Sequence, residues 1–131
     1  MTLFVDASAL VAIIRGEPEA GPLKEALAAD AQRITSAVAL WETARALATR
    51  AHDDIDLALA EVRRLCAMLE IRVVALAEAE ATAAADAHRR YGKGRHPARL
   101  NMGDCFAYAC ARTNGAGLLY KGNDFSRTDL A

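Results

Sequence analysis

Apolar positions recur along this chain with two different periods, and the switches between them outline its elements. Leu3, Phe4 and Val5 form a short run with no polar interruption, the pattern of a parallel strand buried on both faces. A helix is expected over 8–14, stopped by Arg15-Gly16-Glu17-Pro18 and followed by a second helix over 21–29. Arg33-Ile34-Thr35 reads as the next strand, with Ser36 placed to cap a helix over 37–50. His52-Asp53-Asp54 breaks the chain there. In the long helix expected over 55–70, Leu59, Val62, Leu65, Cys66 and Leu69 keep the 3.6-residue period, while Arg63 and Arg64 fall on the polar face. The β-branched run 71–74 predicts a third strand, and 77–91 an Ala-rich helix. A loop of breakers and cations, 92–99, leads to Asn101, which can cap a helix over 102–114 closed by Gly115 and Gly117. Leu118-Leu119-Tyr120 is the last strand. This alternation predicts an α/β fold: one domain over 1–131, with a short, mostly parallel central sheet of about four strands flanked by helices. In such sheets ligands bind outside the carboxyl ends of the strands.

Composition narrows the class. With 53% hydrophobic and 25% charged residues the chain can bury a core, which excludes disorder, and 5% aromatics make that core mainly aliphatic. No apolar stretch approaches the ~20 residues of a membrane span. The opening Met-Thr-Leu-Phe-Val-Asp has no basic leader, and Asp6 interrupts it, so no signal peptide is expected. Cys66, Cys105 and Cys110 are odd in number and lack C-x-x-C spacing, as expected of buried, reduced thiols in a cytoplasmic protein. His52, His88 and His96 have no zinc spacing and are expected at the surface. No Gly-rich phosphate loop is present, so no nucleotide cofactor is implied.

Four acids stand out jointly. Asp6 directly follows the first strand, Glu42 lies about two turns into the helix after the second, Asp104 is in the first turn of a later helix, and Asp124 follows the last strand. Three map to the strand-end side of the sheet, and Glu42 can reach the same crevice along its helix. Gathered carboxylates repel one another unless a cation neutralises them. Hard Mg²⁺ or Mn²⁺ takes such oxygen ligands and supports phosphodiester hydrolysis. The net charge of −1 argues weakly against a nucleic-acid partner, yet setting these four acids aside leaves a mildly basic remainder. Each acid has a structural alternative. Asp6 can cap the first helix, although Ser8 is available for that job. Glu42 can pair with Arg45, although its Trp41 neighbour and apolar surroundings favour burial. Asp104 can be a helix-start acid after Asn101, and Asp124 a turn residue. Arg89, Arg90, Lys93, Arg95, His96 and Arg99 form a basic segment before the Asp104 helix, which either binds phosphate or is a solvated loop.

Four blocks carry a family resemblance. Phe4-Val5-Asp6-Ala7-Ser8-Ala9-Leu10, with Gly16-Glu17-Pro18-Glu19 after it, resembles the opening of PIN-domain nucleases, especially the VapC-type toxins of bacterial toxin–antitoxin pairs. Ser36-Ala37-Val38-Ala39-Leu40-Trp41-Glu42-Thr43, Leu100-Asn101-Met102-Gly103-Asp104-Cys105-Phe106-Ala107-Tyr108-Ala109 and Leu119-Tyr120-Lys121-Gly122-Asn123-Asp124-Phe125 are similar to the blocks that bear the family's other three acids. Thr128-Asp129-Leu130 resembles its ending. The resemblance implies a PIN-like domain and metal-dependent endonucleolytic cleavage of RNA, with Asp6, Glu42, Asp104 and Asp124 holding Mg²⁺ or Mn²⁺. It also implies a cognate antitoxin and a homodimer. Ser8, Arg95, Arg99 and Lys121 are the substrate-facing candidates. Ser8 is placed to position a metal-bound water or a neighbouring carboxylate. Arg15 is a candidate for substrate or partner contacts, and Asp129 for an outer position at the metal site. Two other readings stay open: a non-catalytic metal- or partner-binding module, and a phosphatase-like hydrolase with Asp6 as nucleophile. The second expects Asp-x-Asp, where this chain has Ser8.

Overall fold

Four strands and six helices make up the structure, a computed structural model that describes residues 1–51 and 53–131, with residues 50 and 51 described by their backbone alone. His52, expected at the surface, lies outside the described residues. In chain order the elements are β1 (Thr2–Val5), α1 (Ala7–Arg15), α2 (Ala20–Ala29), β2 (Gln32–Ser36), α3 (Ala37–Ala51), α4 (Ile55–Met68), β3 (Ile71–Val74), α5 (Glu78–Tyr91), α6 (Met102–Thr113) and β4 (Gly117–Leu119).

The strands form one sheet in the order β3-β2-β1-β4, and every pair is parallel. The second and third strands lie on one side of β1 and β4 on the other. The order therefore reverses between β1 and β4, which opens a crevice at their carboxyl ends.

Successive strand residues face opposite sides of the sheet, so each side has its own core. Val5 joins Leu10, Ile13, Leu27, Leu47 and Val62 beneath α1–α4, while Phe4 and Ile34 join Leu100, Tyr108 and Phe125 beneath α5 and α6. The expected aliphatic core describes the first side. On the second, Phe4, Tyr108 and Phe125 are almost wholly buried among alanines, whose small side chains let α5 and α6 approach closely.

Local chemistry sets the boundaries that periodicity misses. The first helix starts at Ala7, because Asp6 rather than Ser8 caps it, and it ends at Gly16, whose φ of 64° is the left-handed conformation glycine tolerates. Helix α4 stops at Met68, two residues early, because Glu70 turns to a φ of 53°. The last strand runs one residue earlier than expected, ending where the Leu119 carbonyl accepts the Asp6 amide at 3.0 Å. Arg33, on β2, donates to the Leu27 and Leu69 carbonyls at 2.8 Å each, placing a cation at the carboxyl ends of α2 and α4. Among the described residues, no helix is long and apolar enough to cross a membrane.

Candidate functional site

Asp6 leaves the carboxyl end of β1 at the point where the sheet order reverses. The Thr35 hydroxyl of β2 donates to the Val5 carbonyl at 2.9 Å, which fixes the strand end beside it. The Asp6 carboxylate then caps α1. Its Oδ2 accepts both the Ser8 amide at 3.0 Å and the Ser8 hydroxyl at 2.6 Å. Ser8 Oγ in turn accepts the Lys121 amide at 3.0 Å, so the turn after β4 is tied to Asp6 through one hydroxyl. Capping and a place in the acidic cluster, alternatives in the sequence, coexist here.

The same duality holds for Asp104. Its Oδ2 accepts the Asn101 amide at 3.1 Å, and Asn101 Oδ1 accepts the Asp104 amide at 2.9 Å, a reciprocal capping box at the start of α6. Glu42, on α3, is half-buried, partly as its apolar surroundings suggested, while its neighbour Trp41 is 54% exposed. The carboxylate of Glu42 lies against Gly103, where any Cβ would overlap it. Asp124 is exposed in the turns after β4, and its neighbour Phe125 is buried edge-on to Tyr120 with ring centres 5.1 Å apart.

Asp6, Glu42 and Asp104 are all raised, by burial first and by neighbouring acids second. Burial raises Asp6 above the usual carboxylate range against the lowering effect of the Ser8 bonds, and the charge of Asp124 adds to the rise. Burial, then the charges of Asp6 and Asp104, push Glu42 to about 7. Burial also takes Asp104 to about 7, against the lowering by its Asn101 bond and with help from Asp124 and Asp6. Yet among the described residues no three His, Cys, Asp or Glu side chains meet in a ready ligand group. The two observations differ in range: charges act across several ångströms, whereas ligands must all lie within about 2 Å of one ion. The donors suit a hard cation nonetheless. They are all oxygens, Gly103 leaves room for the Glu42 carboxylate, and Mg²⁺ commonly takes one or two carboxylates and completes its shell with water and phosphate.

Cations flank the acids unevenly. A recess of about 420 Å³ is shared by Asp104 and Asp124 with Arg99, Arg127 and Ser126. Arg99 sits at a φ of 56° and also borders a second hollow with Lys93, Arg95 and His96, so part of the basic loop does reach the acids. Other sequence candidates are engaged elsewhere. Lys121 pairs with Glu17 and lies 3.9 Å from Glu19, drawn to the α1–α2 turn rather than to a phosphate position. Arg89 pairs with Asp86, and Arg90 lies between Asp86, at 3.5 Å, and Asp129, at 3.6 Å. Asp129 accepts the Tyr108 hydroxyl at 2.6 Å and pairs with Arg112, so it ties the C-terminal segment to α6 instead of backing the acids. Arg15 donates to the Ala46 carbonyl at 3.0 Å. His96 is half-buried, its Nδ1 accepting the Ala98 amide at 3.0 Å. All three cysteines are buried and free. Sequence reasoning missed Arg127, Arg45 as a lining residue, and the space left by Gly103. For Arg127 and Arg45 the available signal is a cation three residues after an acid.

Comparison with known proteins adds to this geometry. The PIN domain family model matches residues 3–130. Ribonuclease VapC of Mycolicibacterium smegmatis is 42% identical over 133 residues, covering 98% of each chain. Ribonuclease VapC30 of Mycobacterium tuberculosis is 40% identical over 133 residues, covering 98% of this chain and 96% of its own. The solved structure of Mycobacterium tuberculosis VapC20, described as a sarcin–ricin loop cleaving toxin, is similar with a TM-score of 0.70. That match covers 95% of this chain and 92% of the other at 20% identity, a likeness of fold.

Proposed function

The chain belongs to the PIN-domain family, and from that premise we propose that it is a VapC-type endoribonuclease, the toxin of a type II toxin–antitoxin pair, dependent on Mg²⁺ or Mn²⁺. The observation that supports the metal dependence is the burial of neighbouring acids, with Glu42 and Asp104 both pushed to about 7 by desolvation first and by the charges of nearby acids second. Such crowding is costly in a folded chain unless a ligand compensates it.

Asp6, Glu42, Asp104 and Asp124 would hold the cation. When bound, it supplies activation of water and neutralisation of charge on the phosphate oxygens. The chain's own residues do the rest. Ser8 locks the Asp6 rotamer through its hydroxyl and amide, and Asn101 fixes that of Asp104. Gly103 admits the Glu42 carboxylate to the start of α6. Glu42 and Asp104, held at about 7 by burial and neighbouring charge, would have to be deprotonated to hold the cation. Arg99 and Arg127, in the recess with Asp104 and Asp124, attract the RNA backbone.

The deciding experiment is internal cleavage of RNA by purified protein freed of any inhibitor. Cleavage should require Mg²⁺ or Mn²⁺, stop on chelation, and vanish in Asp6→Asn. A folded wild type that leaves RNA intact under these conditions overturns the reading. As a toxin acting in the cytoplasm, the chain expressed alone should slow bacterial growth, and co-expression of its cognate antitoxin should restore it. The homodimer that belongs to this reading should appear as twice the chain mass in light scattering.

A further inference from the structure

We propose that the recess on the Glu42 side of the acids, lined by Arg15, Trp41, Arg45 and Ala46, is a stacking subsite for one unpaired nucleotide of the RNA, beside the phosphate at the carboxylates. The inference rests on the nuclease reading and names how that site takes its substrate. Trp41 is the chain's sole tryptophan, and it is 54% exposed on α3 although the sheet offers it a core. Arg45, one turn on, lies over its ring with the guanidinium carbon 5.7 Å from the centroid. The recess measures about 450 Å³, within the range of small-molecule sites, and Glu42 is one of its lining residues, so it adjoins the acids on that side. Arg15 is held there by its bond to the Ala46 carbonyl. One indole face and two guanidinium groups beside a carboxylate site match the base and the phosphates of a single strand. A peptide's apolar side chains find a better match between α5 and α6, where Leu100, Met102, Cys105 and Phe106 line a larger, apolar groove.

The solitary tryptophan makes the test direct. Cleavage-deficient Asp6→Asn protein is titrated with a short oligoadenylate while indole fluorescence is followed. The same titration is run with a ribose-phosphate oligomer of equal length that lacks bases. The oligoadenylate should quench saturably and the base-free oligomer should not. Placed in the same background, Trp41→Leu should weaken oligoadenylate binding about 10-fold, measured by anisotropy of a labelled strand, and Trp41→Phe should restore most of it. Arg45→Ala should weaken binding and flatten its salt dependence. Equal quenching by both oligomers, or a folded Trp41→Leu protein that binds as tightly as its parent, overturns the subsite. So does a Trp41→Leu enzyme that binds and cleaves RNA normally but escapes its cognate antitoxin, because the recess is then a protein-docking surface. Absent cleavage with quenching intact points to failure of the nuclease reading; intact cleavage without quenching points to failure of this one.

Discussion

Gly103 shows how one missing methyl group can organise a site. It lies in the first turn of α6, where alanine would be the better helix former by about 1 kcal/mol. A Cβ there would overlap the Glu42 carboxylate, the far end of a flexible side chain, so Gly103→Ala displaces the carboxylate rather than the backbone. The variant is expected to stay within about 1 kcal/mol of wild-type stability in urea denaturation. Its kcat/KM on RNA is expected to fall about 100-fold, the usual scale for a small misplacement at a reacting centre. In a Glu42→Ala background the same change should have little further effect, a coupling that a double-mutant cycle reads directly. Ser8 works through hydrogen bonds instead. Ser8→Ala removes a donor to Asp6 and an acceptor for the Lys121 amide, and should cost about 1–3 kcal/mol of stability in the same assay.

Helix α6, like α1, has an acid of the candidate site as part of its cap, because Asp104 belongs to its capping box and stands among the raised carboxyls. Asn101→Ala should destabilise the protein by about 1 kcal/mol, seen as a lower denaturation midpoint. It should also lower cleavage without abolishing it, since the Asp104 amide loses its Asn101 Oδ1 acceptor while the Asp104 carboxylate keeps the Asn101 amide. The cap was legible in the sequence because Asn and Asp three positions apart bond locally. Helix α3 was harder to read. Leu40, Ala44, Leu47 and Ala48 mark its buried stripe, but alanine gives little amphipathic contrast, so the exposure of Trp41, one position off the stripe, left no clear trace in the pattern. The basic segment divided for a similar reason. Arg89 and Arg90 follow Asp86 by three and four residues, a pairing the sequence displays, whereas the Asp129 partnership spans two elements and has no local trace.

At the scale of the whole molecule, a parallel sheet whose order reverses beside β1 must bring the ends of β1 and β4 together, and with them Asp6 and the turn that bears Asp124, so this much of the arrangement was legible in the order of the elements. What the sequence did not carry is how deeply Glu42 and Asp104 are buried, and that burial, with the charges of the neighbouring acids, sets the pH behaviour. Glu42 and Asp104 hold their protons up to about 7 in the folded chain, well above ordinary carboxylates. Between roughly pH 4 and 7 the folded state therefore binds protons that the unfolded state has lost. The stability these two groups contribute is fully present below about pH 4, declines as pH rises and is gone above about pH 7. A cation binding the same carboxylates has the opposite dependence, because it must displace those protons and stabilises only the folded form. The Tm of metal-stripped protein should thus fall from about pH 5 to about pH 7.5, while the increment from a fixed Mn²⁺ concentration grows over the same interval. Scanning fluorimetry with chelator and with Mn²⁺ across that series measures both slopes. Glu42→Gln, neutral at every pH, should flatten the first slope and shrink the second. An Mn²⁺ increment that stays constant with pH would mean the cation binds away from these acids, and the metal-dependent mechanism would fall with it.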